Sequence, residues 1–197
     1  MRKIILFCTE RIMNVLDVQK DEFEIIEYGI YQMIWEGFNI ATIFFIGILW
    51  GKIAEILVLF FHYKILRPFA GGYHSDTENR CYIFSVCMMN IDMFLATYFR
   101  WEYAPFFFIS LICAFIVWIL SPVENDRNPL TREERKKYRK QSRTVLIFSV
   151  GCLIGTSILN CMGAAWGITC SLIDTAILQI MGAVKYGRKR NEYGKLF

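Results

Sequence analysis

Long apolar stretches without any charge constrain this chain more than any other feature. One runs from Thr144 to Gly163 and another from Ala104 to Ser121, and neither contains a charged side chain. A helix needs about 20 apolar residues to cross the hydrocarbon core of a bilayer. A chain of 197 residues is too short to cover several helices that are apolar on all sides with its own protein. The pattern therefore predicts an integral membrane protein.

The order of apolar and polar stretches predicts an all-α fold, a polytopic helical bundle in the membrane. Ile5, Cys8, Ile12 and Leu16 recur at helical spacing near the N-terminus, which is typical of an amphipathic helix on the membrane surface. Residues 1–197 are expected to form a single integral membrane domain. About six membrane segments are expected, at about 26–49, 53–66, 81–99, 104–121, 144–163 and 165–184.

The first two segments leave an alternative open, because charged residues interrupt them and the second is short. The charged residues are Glu27, Glu36, Lys52 and Glu55. A single crossing over 38–61 would give five segments and place the N-terminus outside. That arrangement conflicts with the basic residues near the N-terminus, so six segments are preferred.

Lysine and arginine residues predict which side of the membrane each loop occupies. The loop 122–143 contains eight of them and the tail from residue 185 contains five. Cytoplasmic loops are enriched in Lys and Arg, so both regions are expected in the cytoplasm. Counting segments backwards also places the polar stretch 67–80 on the cytoplasmic face.

The polar stretch 67–80 contains His74 and is followed directly by Cys81. These two residues form the candidate catalytic pair of the sequence. A cysteine nucleophile acts as its thiolate, and a nearby histidine can accept the thiol proton. In a straight helix the two would lie about 10 Å apart along the axis, whereas proton transfer needs roughly 3 Å. A working pair therefore requires a break in the helix. Gly71 and Gly72 permit this break, and Pro68 disfavours a helix through Arg67.

The neighbours of Cys81 favour its thiolate. Arg80 adds a positive charge, and a helix that begins at Cys81 would add the partial positive charge of its N-terminus. Asp76, Glu78 or Asn79 could orient the imidazole, and the sequence does not choose among them. His62, at the end of an apolar segment, is interpreted as a snorkelling side chain.

The other six cysteines are interpreted as small packing residues, because they are scattered and form no CxxC or Cys/His metal spacing. No metal or organic cofactor is expected. Gly163 and Gly167, like Gly151 and Gly155, have the spacing that allows close packing of membrane helices.

The stretch Arg67-Pro68-Phe69-Ala70-Gly71-Gly72-Tyr73-His74, followed by Cys81, resembles the Arg-x-x-x-Gly-Gly-x-His…Cys signature of the accessory gene regulator B (AgrB) family. A second stretch, from Ser121-Pro122 to Pro129-Leu130, resembles the Pro-rich loop that follows a membrane helix in that family. The resemblance extends over nearly the whole chain, including its length and its order of apolar segments.

The resemblance implies a thiol protease in the bacterial plasma membrane that takes part in quorum sensing. Such proteins cut the C-terminal tail from a small AgrD-like propeptide and close the remainder into a thiolactone or lactone ring. The family's catalytic residues map onto His74 and Cys81. From the residues themselves, we also expect Arg67, Gly71, Gly72 and Arg80 to bind substrate or support the site. The implied partners are the propeptide, membrane lipid and a second copy of the chain in a homodimer, with no nucleic acid.

Two other functions compete with this interpretation. A multi-pass peptide transporter or exporter without proteolytic activity would need paired charges inside the membrane, for which Asp92 and Asp174 are candidates. A non-enzymatic sensor or scaffold would leave His74 and Cys81 replaceable.

Overall fold

The computed structural model describes residues 2–16, 22–75, 77–98, 103–124 and 129–193. Seven α-helices form within these ranges, and the only strand-like pairing there is an isolated bridge between Gly71 and Val123. The helices are α1 (Arg2–Leu16), α2 (Phe23–Trp50), α3 (Ile53–Ala70), α4 (Glu78–Tyr98), α5 (Tyr103–Leu120), α6 (Arg132–Ile158) and α7 (Met162–Tyr193). The predicted all-α fold and the N-terminal helix are confirmed.

The apolar helices match five of the six predicted membrane segments. By length and composition, α2, α4, α6 and the first 26 residues of α7 can cross a membrane, and α5 adds a shorter apolar helix, Ala104–Leu120. Helix α3 occupies the position of the second predicted segment and carries three charged residues, Glu55, Lys64 and Arg67. The chain is a polytopic helical membrane protein.

The chain divides into two compact units, residues 1–45 and 46–197. The first contains α1, in which the buried Thr9 hydroxyl donates a hydrogen bond of 2.9 Å to the Ile5 carbonyl. The second contains the end of α2 and the helices from α3 to α7, together with all the residues singled out around His74 and Cys81.

A tight turn at Gly51 separates α2 from α3, so the alternative of one continuous crossing over 38–61 is wrong. Gly51 has a φ of +63°, a conformation that glycine adopts without strain. The Lys52 amide donates to the Gly47 carbonyl at 2.9 Å and closes the turn. Gly47 lies against Ile56, and a Cβ at Gly47 would come within 2.8 Å of the Ile56 side chain.

Helix α7 lies at the centre of the second unit and packs against α3, α5 and α6. Its residues from Ala165 to Leu172 are all buried, and the core around them includes Leu66, Val117 and Leu146. A Cβ at Gly167 would lie 2.7 Å from the Glu55 carbonyl oxygen, so this glycine allows α3 and α7 to pack closely. A Cβ at Gly151 or Gly155 would have no neighbouring atom within 4 Å. Among the described residues, these two glycines therefore do not mediate close packing of α6 against another helix.

Two helices begin earlier than the hydropathy pattern predicts, because polar residues cap them. Thr131 and Glu134 form a capping box, which starts α6 at Arg132 rather than near residue 144. Thr77 accepts a hydrogen bond from the Arg80 amide at 3.4 Å, and α4 starts at Glu78 rather than at Cys81. Basic residues 132–143 are therefore helical and not part of a loop.

Candidate active site

The helix that precedes the candidate site ends at Ala70, four residues later than the predicted end at Leu66. The expectation that Pro68 keeps Arg67 out of a helix is wrong, since α3 runs through both residues. The chain turns instead at Gly71 and Gly72, whose φ angles are +70° and +124°. Residues with a Cβ rarely adopt such angles, so the glycine pair sets the position of the break.

The backbone after this break is bound on two sides. Gly72 donates to the Val123 carbonyl at 3.1 Å, and Val123 donates back to the Ala70 carbonyl at 3.0 Å. On the other side, Tyr73 donates to the Leu178 carbonyl of α7 at 2.7 Å. The segment Gly71–Tyr73 is thus fixed between the chain that follows α5 and the middle of α7.

Three glycines allow this close approach. A Cβ at Gly71 would collide with the Val123 carbonyl, and one at Gly72 would lie 3.0 Å from the Leu178 carbonyl oxygen. On the opposite wall, a Cβ at Gly182 would lie 2.7 Å from the Tyr73 nitrogen. Gly182 was not singled out from the sequence, because a glycine in a membrane helix is a weak signal there.

The Arg67 guanidinium holds the same backbone from within. Its Nη1 donates to the Gly71 carbonyl and its Nη2 to the Tyr73 carbonyl. A planar guanidinium can donate to two acceptors at once, whereas an ammonium group is a single compact charge. This geometry makes Arg67 a support for the residues before His74.

His74 lies in the non-helical segment that follows α3, whereas Cys81 lies on α4. His74 is exposed, and its backbone amide donates to the Tyr186 hydroxyl of α7 at 3.4 Å. Cys81 is half-buried in the first turn of α4, where its amide donates to the Thr77 carbonyl at 3.1 Å. The required break in the helix is present, and the thiol lies near a helix N-terminus.

The remaining polar candidates around the pair have different positions. Arg80, Glu78 and Asn79 are exposed in the first turn of α4. Asp76, the other candidate for orienting the imidazole, lies outside the described residues. Among the described residues, no group of three or more His, Cys, Asp or Glu side chains is placed to hold a metal ion.

Tyr63 is a residue near the site that sequence reasoning missed. Its phenol lies within electrostatic range of the Arg67 guanidinium, of Cys81 and of Asp174. Tyr63 is one helical turn before Arg67 on α3, so both side chains lie on the same face of that helix. It therefore connects the Arg67 support to the surroundings of the thiol.

The second motif, which begins at Ser121, is joined to the glycine pair by a buried polar network. The Gln179 amide of α7 is fully buried and donates to the Ala70 carbonyl at 2.7 Å and to the Ser121 hydroxyl at 2.9 Å. Ser142 of α6 donates to the same hydroxyl at 2.9 Å. The network holds α3, α6 and α7 together around the end of α5.

Comparison with known proteins identifies the family. The family model described as Accessory gene regulator B matches residues 7–181. The chain belongs to the accessory gene regulator B family. An AgrB-like protein of Clostridium perfringens strain SM101 is 26% identical over 179 residues, which cover 87% of this chain and 84% of the relative.

A second relative, AgrB-like protein 2 of Clostridium perfringens strain 13, is 25% identical over 184 residues and covers 90% of this chain and 84% of its own length. No solved structure matches the chain. The AgrB match covers α3 with the glycine pair, Cys81, and the second motif. The resemblance proposed from the two motifs is confirmed. In this AgrB chain, the second motif supplies Val123 as a docking point for the backbone before His74. Its Ser121 is connected to that backbone through Gln179.

His62, the other histidine of this AgrB chain, does not snorkel, so that interpretation is wrong. Its Nε2 lies 2.6 Å from the Ser149 hydroxyl of α6, and its Nδ1 lies 2.8 Å from the Ser171 hydroxyl of α7. The Ser149 hydroxyl donates its hydrogen to the Val145 carbonyl, so it accepts a hydrogen bond from the Nε2–H group of His62. His62 joins three helices within the core, and its position eight residues before the end of α3 explains why it does not reach the surface.

Substituting Gly71 by Ala is expected to destabilise the protein by about 1–3 kcal/mol, because a side chain there is strained and meets the Val123 carbonyl. Gly151→Ala in α6 is the matched control, since its Cβ would meet nothing within 4 Å. Thermal unfolding of both variants in nanodiscs measures the difference. A Gly71→Ala protein as stable as Gly151→Ala would contradict the docking described above.

Proposed function

We propose that this AgrB chain is a membrane-embedded cysteine endopeptidase that cleaves an AgrD-like propeptide and closes it into a ring. The observation that carries the proposal is the fixed segment Gly71–Tyr73, which leads directly into His74 on the side of the bundle where α4 begins with Cys81 in its first turn. Membership of the family supports the role in peptide processing.

The first half-reaction uses the two proposed catalytic residues. The His74 imidazole removes the thiol proton of Cys81, and the thiolate attacks a backbone carbonyl of the propeptide. The tetrahedral intermediate collapses, and the C–N bond breaks. The proton on His74 passes to the leaving amine, so the C-terminal tail departs as a free peptide. The rest of the propeptide stays bound to Cys81 as a thioester.

The second half-reaction forms the ring. A Cys or Ser side chain of the same propeptide loses its proton to His74 and attacks the thioester, which releases Cys81 and gives a thiolactone or lactone. The tethered nucleophile competes well with water, because its effective concentration is very high. A site at the membrane face also limits the access of water. The thioester preserves the acyl-transfer energy that hydrolysis would dissipate.

The basic start of α6, together with Arg80, provides the surface on which we place the propeptide tail. The exposed basic residues there are Arg132, Arg135, Lys136, Lys137, Arg139 and Lys140. Arg135 forms an ion pair with Glu124 and Arg139 donates to the Ser121 carbonyl, so two of them also hold the second motif. Arg67 belongs to the support of His74, because its guanidinium is engaged with backbone carbonyls. Anionic lipid headgroups compete for the same positive surface.

The site is proposed to face the cytoplasm, as the distribution of basic residues predicts. Helix α6 starts with the basic residues and ends at Ile158, and a short turn through Asn160 returns the chain into α7. The start of α6 and the end of α7 therefore lie on one side of the membrane, together with the start of α4.

An impermeant thiol reagent applied to intact cells is expected to label Cys161 and to leave Arg135→Cys and Arg190→Cys unlabelled. Each is tested as the single cysteine of its variant. Cys161 is exposed in the turn between α6 and α7 and serves as the positive control for the outer face. Labelling of position 135 or 190 from outside, before the cells are permeabilised, would overturn the orientation.

Replacing Cys81 by Ala is expected to abolish cleavage of an AgrD-like propeptide in nanodiscs. His74→Ala should reduce the cleavage rate by about 100- to 10,000-fold, the range of general acid–base catalysis. Cys87→Ala is the matched control, because Cys87 is an exposed cysteine on the same helix, and its cleavage rate should stay within about twofold of the unaltered protein. Cleavage at a normal rate by Cys81→Ala would show that the mechanism is wrong.

A further inference from the structure

Helix α4, which carries Cys81, is anchored in the bundle at one turn. Asp92 and Met93 are its buried residues, and the other described residues of the helix are half-buried or exposed. Asn90, one turn away from Phe94, accepts a hydrogen bond of 3.1 Å from the Trp50 indole. The position of Cys81 therefore depends on contacts made about three turns away, around Asp92.

The contact that Asp92 makes is with α7. Its carboxyl forms a buried cluster with the Asp174 carboxyl and the Cys170 thiol, in which the three groups lie within electrostatic range of one another. Tyr63 of α3 is the other ionisable group that faces Asp174. Within the described part of the chain, Asp92 Oδ2 has no hydrogen-bond partner and neither carboxyl forms an ion pair with Lys or Arg.

A hydrogen bond between two carboxyl groups requires one proton between them, because an ionised carboxylate has only acceptors. Two carboxylates in contact also repel strongly when they are removed from water. With one shared proton, the pair carries a single negative charge and the two helices gain a short, directional link. Inside a membrane, such a link is retained only where it faces the bundle interior, as this one does.

Helix α7 also fixes the other half of the candidate site. Leu178, one turn after Asp174, accepts the hydrogen bond from Tyr73, and Tyr186 accepts the one from His74. Contacts with α7 therefore position both the segment that carries His74 and the helix that carries Cys81. Moving α4 along α7 would change the separation of imidazole and thiol without touching either residue.

We propose that Asp92 and Asp174 share one proton and act as a positioning pair, which holds α4 on α7 so that Cys81 lies opposite His74. The effect on cleavage rests on the proposed peptidase function, whereas the shared proton and the position of α4 do not. A buried pair of acids also suits a peptide exporter, in which the pair must gain and lose its proton during each cycle.

Asparagine variants separate the two roles. In Asp92→Asn or Asp174→Asn, the amide donates to the remaining carboxylate, so one hydrogen bond and one negative charge are both preserved. Alanine at either position removes the link. A positioning role therefore tolerates asparagine and not alanine, whereas proton exchange fails with both, because the amide does not ionise.

The experiment compares the protein with its Asn and Ala variants at positions 92 and 174 in nanodiscs, with Cys81→Ala as the inactive control. Cleavage kinetics of the propeptide give kcat and KM. We expect kcat within about threefold of the unaltered protein for Asn, and a loss of at least about tenfold with little change in KM for Ala, since a misplacement near 1 Å costs about 100-fold.

Two further readouts do not depend on cleavage. Infrared spectra should show the carbonyl stretch of a buried, protonated carboxyl in the unaltered protein, and this band should disappear in each Asn variant. Spin labels at Cys87 and at Ile177→Cys report the position of α4 against α7, with all other cysteines except the buried Cys170 replaced. Their distance distribution should be unchanged by Asn and shifted or broadened by Ala.

The outcomes distinguish the two proposals. An unaltered protein that cleaves no propeptide overturns the peptidase function, and the infrared and spin-label measurements then still decide on the pair. Absence of the protonated carboxyl band, or an unchanged label distance in the Ala variants, overturns the positioning pair. Equal loss of function in Asn and Ala variants, with α4 in place, overturns it in favour of proton exchange.

Discussion

The backbone amides of Gly72 and Tyr73 donate hydrogen bonds to the Val123 and Leu178 carbonyls, and the candidate site depends on this docking. Inside a membrane protein, non-helical backbone is tolerated only where its polar groups find partners within the protein. Here the partners come from the end of α5, from α7 and from the Arg67 side chain. The segment is held from several directions, so His74 follows a fixed backbone.

Buried polar side chains on α7 give the bundle its specificity, since apolar packing alone does not distinguish one helix arrangement from another in lipid. Gln179 bonds to the end of α3 and to Ser121, and Ser171 bonds to His62. Asp174 contacts α4 through Asp92. These three contacts lie at successive positions along one helix. Helix α7 therefore positions the elements that carry Arg67, His74 and Cys81.

Much of this arrangement was predictable from the sequence, because apolar runs and glycine pairs have direct physical meanings. The apolar runs predicted the helices, and Gly71-Gly72 predicted the break before His74. Helix boundaries near charged residues were less predictable, since the capping box at Thr131 extends α6 into a stretch that reads as a loop. The continuation of α3 through Pro68 was missed for a related reason. A proline disfavours helix at the residue before it, but this local preference is weak compared with the packing of the buried Leu66 and Ala70.

Long-range partners were beyond sequence reasoning. Nothing in the spacing of Tyr63, Gln179 or Gly182 indicates that they meet the glycine pair or the surroundings of Cys81. The role of His62 was likewise missed, because its two serine partners lie 87 and 109 residues away in sequence. In the sequence, the second motif indicated the family but no role for its residues. In the structure, Val123 of this motif pairs with Gly71, which gives the motif a structural role.

The most direct test of the central claim is to trap the acyl-enzyme. The protein in nanodiscs is incubated with a propeptide whose ring-forming Cys or Ser is replaced by Ala, so that the thioester has no internal nucleophile. Intact-mass analysis followed by peptide mapping should find the truncated propeptide attached to Cys81, in a form that hydroxylamine releases. Cleavage that proceeds with the adduct on another residue, or with no adduct on any time scale sampled, would contradict Cys81 as the nucleophile.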